Sequence, residues 1–382
     1  MNALVYKRDV EGPATHAIVI CVGHYLHLPG GESKNKFPNP DRLTQLKSPP
    51  PSARAIARWL IEEYDHPKKP LASLALLCSD KSNVEFTFSA NGKEKRVEIP
   101  PATIQEVKPA IRAWHDLGNQ NPDHLLLFFF CGHGLALGHD LALLLSDFGA
   151  DPRGALDGAL NFRLFRQGMD ECAAREQCYF VDACRVGSEL LIQNLGNAGD
   201  PVIHRMGTLN TTGRLRQAPV FYSTLSGGQA YAKPGKPSLF TQALLEAFAG
   251  AGSGDEYEAW RVQTNHLHHV LDFLMADASR RLRIPQLQLA PAEDLTTIHL
   301  NYIASPMVPV LVSCKPEEAN STATLSCEND TFKKRRKPAK DSWLLRLPVA
   351  TYDFCAKIET KDFKKETVVR PTYKVVNLEV KS

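Results

Sequence analysis

No stretch of this chain is long and apolar enough to span a bilayer. Its densest apolar run, Leu125–Cys131 (LLLFFFC), falls far short of the ~20 residues a membrane helix needs. The opening MNALVYKRDVEG lacks the basic-then-apolar order of a secretory signal. There is no CxxC pair. The nine cysteines are odd in number and scattered, so neither a zinc ribbon nor a disulfide framework is expected, and a reducing, cytoplasmic setting fits best. The Asn-x-Thr sequons at Asn210, Asn320 and Asn329 carry no weight without secretion. An excess of one charge is also missing: 45 Lys and Arg against 42 Asp and Glu leave +3. Neither nucleic acid nor a membrane is therefore an expected partner. A phosphate-binding loop, a dinucleotide fingerprint and internal repeats are all absent, so no cofactor is expected.

What is present is a globular composition, 43% hydrophobic and 23% charged, in 382 residues, enough for two domains. The first three-quarters alternate strand-like and helix-like stretches. Ala17–Gly23 (AIVICVG) and Leu71–Cys78 read as strands covered on both faces. Between them, after Pro49–Pro51, Ser52 caps an expected helix through Glu63. Asn91-Gly92 predicts a tight hairpin within Val84–Ile99. A helix over Thr103–Leu117 leads to the strand at Leu125, and Leu141–Leu145 makes a short strand. A helix around Phe162–Glu171, strands Cys178–Val181 and Val220–Thr224, a helix capped by Ser238 and a longer one over Arg261–Leu282 follow. The pattern predicts an α/β domain with a mostly parallel sheet flanked by helices.

Composition shifts near Ser305. From residue 306 on there are 15 Lys and Arg against 10 Asp and Glu, leaving 30 against 32 before it. Val308–Ser313, Ala323–Cys327, Trp343–Leu347 and Val375–Val380 read as short strands without helices between them. The expected organisation is a domain over 1–305 and a small β-rich appendage over 306–382, an incomplete sandwich.

Two strand ends carry chemistry. Cys131-Gly132-His133-Gly134 follows LLLFFF, and Asp182-Ala183-Cys184-Arg185 follows CYFV. In an open parallel sheet the reactive loops gather at the carboxyl ends of the strands, where His133 and Cys184 would converge. A thiol beside an imidazole is a nucleophile and its base. Cysteine is also among the residues most often buried for packing alone, so each motif by itself is weak evidence.

Taken together, and 51 residues apart (184 − 133), the two segments resemble the caspase-like cysteine peptidases, which include caspases, metacaspases and prokaryotic relatives. The resemblance spans about Ala14–Tyr302 and includes HLLLFFFCGHG, YFVDACRVGS, VFYSTLSGG and SLFTQALLEAF. It implies a caspase-type fold, with a large-subunit-like part about 14–190 and a small-subunit-like part about 218–305. It also implies His133 as general base, Cys184 as nucleophile and the amides of Gly134 and Cys184 as the oxyanion hole, without metal.

Two departures from the aspartate-cutting caspases bear on specificity. Asp182 replaces their glutamine, and alignment on Ser223-Thr224-Leu225-Ser226-Gly227 puts Tyr231 and Ala232 at their tryptophan and arginine positions. Asp182, Ser223 and Tyr231 are thus the expected substrate contacts, and a pocket with a carboxylate and no arginine should take Arg or Lys. Metacaspases usually carry serine two residues before the histidine, where this chain has Cys131.

The stretch Gly187–Pro219 reads as a long loop in which Arg205, Arg214 and Arg216 are candidate processing sites. Lys334 and Arg335, in the run Lys333–Lys337, are further candidates in an expected solvated linker. His266, His268 and His269 do not share one helix face and read as surface rather than metal ligands. The expected function is a cysteine endopeptidase acting on protein substrates after Arg or Lys. An upstream activating protease or regulator and a stress, cell-death or defence role come from the resemblance; calcium activation, frequent in metacaspases, is not readable from the sequence, which shows no convincing acidic loop to hold the ion. The alternatives are a catalytically silent scaffold and an enzyme of Asp specificity.

Overall fold

The computed structural model describes residues 3–38, 43–81, 84–151, 153–154, 156–187, 198–207, 216–224, 235–254, 259–285 and 289–380. Two compact units result, one of residues 1–242 with 287–298, the other of 243–286 with 299–382.

In the first unit β1 (Leu4–Lys7) and β2 (Thr15–Val22) are followed by α1 (Pro49–Glu62), β3 (Leu71–Ser79), and the hairpin β4 (Glu85–Ala90) and β5 (Lys93–Glu98). Then come α2 (Ile104–Gly118), β6 (Leu125–Gly132), β7 (Gly134–Leu137), β8 (Asp140–Leu144), β9 (Ala159–Asn161) and α3 (Phe162–Met169). The unit's last strands are β10 (Glu176–Ala183), β11 (Val186–Gly187) and β12 (Val220–Tyr222), and α4 (Leu239–Glu246) carries the chain into the second unit.

The central sheet runs β1-β3-β2-β6-β10-β12, parallel throughout except for the edge strand β1. Its inner strands β2 and β6 are buried along their full length because both faces are covered, which is why they read as unbroken apolar runs. Side chains alternate between faces. Ile18, Ile20, Phe128, Phe130, Tyr179 and Val181 share a core with Val107, Ile111 and Trp114 of α2 and Phe162 and Phe165 of α3. The alternate positions turn to the opposite side, where Ile56, Ala57 and Leu60 of α1 are buried. The β4–β5 turn uses the left-handed backbone that Asn91 (φ 52°) and Gly92 (φ 70°) tolerate.

The second unit contains the three-stranded sheet β13 (Ser253–Gly254), β14 (Trp260–Gln263) and β15 (His299–Ile303), with α5 (Thr264–Leu282) after β14. Its remaining strands are β16 (Met307–Lys315), β17 (Thr324–Glu328), β18 (Lys333–Arg336), β19 (Trp343–Pro348), β20 (Ala350–Ile358), β21 (Lys361–Val369) and β22 (Lys374–Glu379). These form sheets β19-β16-β22 and β18-β17-β20-β21, whose inner faces share one core around Val310, Leu325, Leu345, Tyr352 and Phe354.

Several expectations need correction. The helix expected over Arg261–Leu282 begins at Thr264, because residues 260–263 pair with both β13 and β15. Pro49–Pro51 form the first turn of α1 rather than a lead-in, since the amide that proline lacks has no partner there anyway. The basic run is not a linker. Lys333–Arg336 pairs with β17 as an edge strand, and charge there suits an exposed edge. β20 and β21, the longest hairpin of the unit, escaped notice because Lys, Glu and Asp occupy their outer faces. Finally, Cys21 and Cys78, register partners on β2 and β3, are joined in a disulfide where none was expected.

Candidate active site

β6 and β10 are neighbours with a constant register offset of 51, since Asp182 lies opposite Cys131 and Ala183 opposite Gly132. Beyond the strand ends the same offset returns where Val186 of β11 meets Leu135 of β7. Cys184 and His133 each follow directly on the ends of these adjacent parallel strands, at positions that share the offset. The sequence spacing of the two residues is the sheet register itself. Gly134 has its own reason to be glycine: a Cβ there would lie 2.5 Å from the Cys184 carbonyl oxygen.

His133 is held from two sides. Its Nε2 lies 2.7 Å from the Thr44 carbonyl oxygen, which can only accept, so Nε2 carries the proton and Nδ1 is left as the basic nitrogen. Its backbone amide donates to the Tyr25 hydroxyl at 2.7 Å, and the Tyr25 ring packs 5.0 Å from the imidazole. Burial pulls the His133 pKa below its usual value, offset in part by the Thr44 carbonyl. The imidazole thus stays neutral, the form a general base requires. Burial pushes the Tyr25 hydroxyl well above its ordinary value, so it stays a neutral acceptor for the His133 amide.

Asp182 points into the interior, 2% exposed. Its Oδ2 accepts hydrogen bonds from Ser238 Oγ, from Thr241 Oγ1 at 2.9 Å and from Cys131 Sγ at 3.4 Å. Oδ1 is buried without a partner. Burial raises the carboxyl pKa above its usual value, against the pull of the Ser238, Thr241 and Cys131 donors. Cys131 is itself pushed well above the usual thiol value, first by burial and then by the Asp182 charge. It remains a neutral donor to Asp182.

Ser238 shows why local reading was incomplete. Its hydroxyl accepts from the Thr241 amide, as a cap does, and also donates to Asp182. Ser52, read as a cap, lies inside α1 instead and accepts from the Ser238 amide at 2.9 Å. Ser223 Oγ and Thr224 Oγ1 both donate to the Ala183 carbonyl, at 3.3 and 3.4 Å, fixing the peptide just before Cys184. Arg185, the next residue, lies over the Tyr222 ring at 4.3 Å.

Other expected residues fall elsewhere. Tyr231, Ala232 and Arg214 lie outside the described residues. Arg205 stands 4.0 Å from Glu171, and Arg216 is anchored by the carbonyls of Met169 and, at 2.7 Å, Cys172. Lys334 and Arg335 sit in the paired strand β18. Tyr25, Thr44 and Thr241 were not anticipated. Thr44 contributes through its backbone, which no sequence pattern marks.

The family model of the caspase domain matches residues 15–295. An uncharacterized protein (y4kE) of Sinorhizobium fredii strain NBRC 101917 / NGR234 is 29% identical over 227 residues, or 56% of this chain. The matched region spans 62% of that relative's length. The crystal structure of caspase-1 from Spodoptera frugiperda superposes with a TM-score of 0.41 at 13% identity, covering 78% of this chain and 96% of the other.

Proposed function

The chain belongs to the caspase-domain peptidase family, and we propose that it is a Cys184–His133 cysteine endopeptidase cleaving protein substrates after Arg or Lys. The observation that supports the reading is the constant offset of 51 between β6 and β10, with which a His133–Cys184 pair at the carboxyl edge of the sheet agrees.

His133 Nδ1 takes the Cys184 thiol proton, and the thiolate attacks the scissile carbonyl carbon. The amides of Gly134 and Cys184 are the proposed donors to the resulting oxyanion. Collapse breaks the C–N bond, His133 returns its proton to the leaving amine, and a thioester remains on Cys184. Water, deprotonated by His133, hydrolyses that thioester, releases the carboxylic acid product and restores the thiol. Asp182 supplies basic specificity: its unpartnered Oδ1 suits a guanidinium or ammonium, and a buried charge of this kind gains from an opposite charge.

The test is turnover of fluorogenic peptides ending in Arg, Lys or Asp by wild type and Cys184→Ala, with and without calcium. Arg or Lys cleavage that vanishes in the variant supports both assignments. Asp cleavage would keep the enzyme and overturn the pocket, and no turnover under any condition would favour the silent scaffold. If cleavage occurs, Arg205, Arg214 and Arg216 are the proposed self-processing sites, read by N-terminal sequencing of the products. Regulated proteolysis in a stress, cell-death or defence setting, under an upstream protease or regulator, remains part of this proposal.

A further inference from the structure

His133 is gripped by groups from two separate stretches of chain, the Thr44 carbonyl at Nε2 and the Tyr25 hydroxyl at the backbone amide, each at 2.7 Å. Neither stretch belongs to a strand or a helix: Tyr25 lies in the loop that follows β2, and Thr44 shortly before α1. Loop backbone without a regular ladder opens at little cost, so both contacts persist only if the two stretches are tied to each other.

One side chain ties them. Gln45 Oε1 accepts from the Tyr25 amide at 2.8 Å, and Gln45 Nε2 donates to the carbonyls of Tyr25 at 2.9 Å and Pro29 at 3.0 Å. Two carbonyls and one amide decide which end of the side chain is oxygen and which is nitrogen. The amide closes a pair of bonds on the Tyr25 backbone, as a neighbouring strand would, and spends both of its N–H groups. The loop also closes on the stem, since a Cβ at Gly30 would stand 3.1 Å from Gln45 Cγ. Just beyond, the Leu46 amide donates to the Gly23 carbonyl at 2.8 Å. The three side-chain bonds all go to the Tyr25–Pro29 loop, yet they reach His133 indirectly. The Thr44 carbonyl shares a rigid peptide plane with the Gln45 nitrogen, so fixing Gln45 aims that carbonyl.

We propose that Gln45 is a positioning residue for the peptidase reaction: by tying Tyr25 to the Thr44–Gln45 peptide it keeps the Thr44 carbonyl on His133 Nε2, and so keeps Nδ1 as the nitrogen that takes the thiol proton. The proposal rests on the Cys184–His133 reading above. Without the clamp the imidazole also samples the tautomer with Nδ1 protonated, which cannot act as the base.

Gln45→Met keeps the length of the unbranched stem and removes all three bonds. Two readouts compare it with wild type: kcat and KM on an Arg peptide, and nitrogen–proton correlation spectra of the full chain carrying nitrogen-15 histidine. The His133 signal is assigned by its loss in His133→Gln, and it reports the tautomer without any turnover. The expected result is a fall in kcat of about ten- to hundredfold with KM within about threefold, and passage of His133 from the Nε2–H form alone to a mixture of tautomers. Ser33→Ala, which removes the Ser33–Asn35 bond of the same loop and leaves Gln45 untouched, should change neither readout. An unchanged tautomer, or an unchanged kcat where wild type is active, would overturn the proposal. If wild type turns over no peptide while the tautomer still shifts, the peptidase reading fails and the clamp on His133 stands. Gln45→Asn, one methylene too short to reach, serves the same test if Gln45→Met does not fold; failure of both to fold would make Gln45 a structural residue and overturn the proposal.

Discussion

Replacing Asp182 with Asn removes one charge and almost no volume, which separates recognition from folding. In the fold, Ser238 and Thr241 donate to one carboxylate oxygen, and an amide oxygen can accept those same bonds. The other oxygen is buried without a partner. Burial raises the Asp182 pKa above its unfolded value, so the stability this group contributes is present below the unfolded pKa and is lost as pH rises through the folded one. Wherever the carboxylate is ionised it therefore works against the fold, and Asp182→Asn should melt at the same temperature or higher. Catalysis should move the other way. Removing one partner of a desolvated ion pair costs about 3–5 kcal/mol, and each 1.36 kcal/mol is a factor of ten. The expected loss in kcat/KM for Arg peptides is then about 10²–10⁴-fold, with peptides ending in neutral Gln far less affected. The assay is kcat/KM on matched Arg and Gln peptides beside a thermal melt. Arg-peptide turnover within about threefold of wild type would refute the pocket reasoning, and an equal fall for both peptides would reassign Asp182 to holding Cys184 in place.

Three further outcomes follow from contacts in the first unit. Gly134→Ala puts a methyl 2.5 Å from the Cys184 carbonyl oxygen, so about 1–3 kcal/mol of stability should be lost in denaturant titration and kcat should drop at least about tenfold. Tyr25→Phe leaves the buried His133 amide without its acceptor, which should cost about 1–3 kcal/mol and lower kcat with little change in KM; an unchanged kcat would remove Tyr25 from the positioning of His133. His16 has its pKa lowered from 6.5 to about 4, by burial and then by His124, so the folded state favours the neutral ring. Its contribution is whole above pH 6.5 and lost as pH falls toward about 4, a span worth about 3 kcal/mol, and His16→Gln should flatten that part of the stability–pH curve.

The inner strands of the central sheet were legible because their burial is two-sided, which leaves unbroken runs such as LLLFFFC and AIVICVG with no polar residue to confuse the period. The second unit was harder to read. β20 and β21 bury one face only, and residues such as Lys364, Lys365 and Glu366 fill the other, so the runs look like solvated charge. Lys333–Arg336 misled in the same way: hairpin pairing with β17 makes it a strand despite its composition. Trp260–Gln263 carries no local feature separating it from the helix that follows, and only its two sheet neighbours decide.

The sequence by itself marked His133 and Cys184 as the two strand-end candidates. It also placed Asp182 two residues before the thiol. The tertiary structure supplied the strand order and the register offset of 51 that bring the ends of β6 and β10 next to each other. It alone also decided how those groups are tuned. The Thr44 carbonyl that sets the His133 tautomer is a backbone atom 89 residues away, and the Ser238 and Thr241 hydroxyls on Asp182 come from 56 and 59 residues further on. Such bonds depend on where loops and helices settle against the sheet after it has formed. Local propensity carries no record of that, whereas the unbroken apolar runs that mark the inner strands are local features of the sequence.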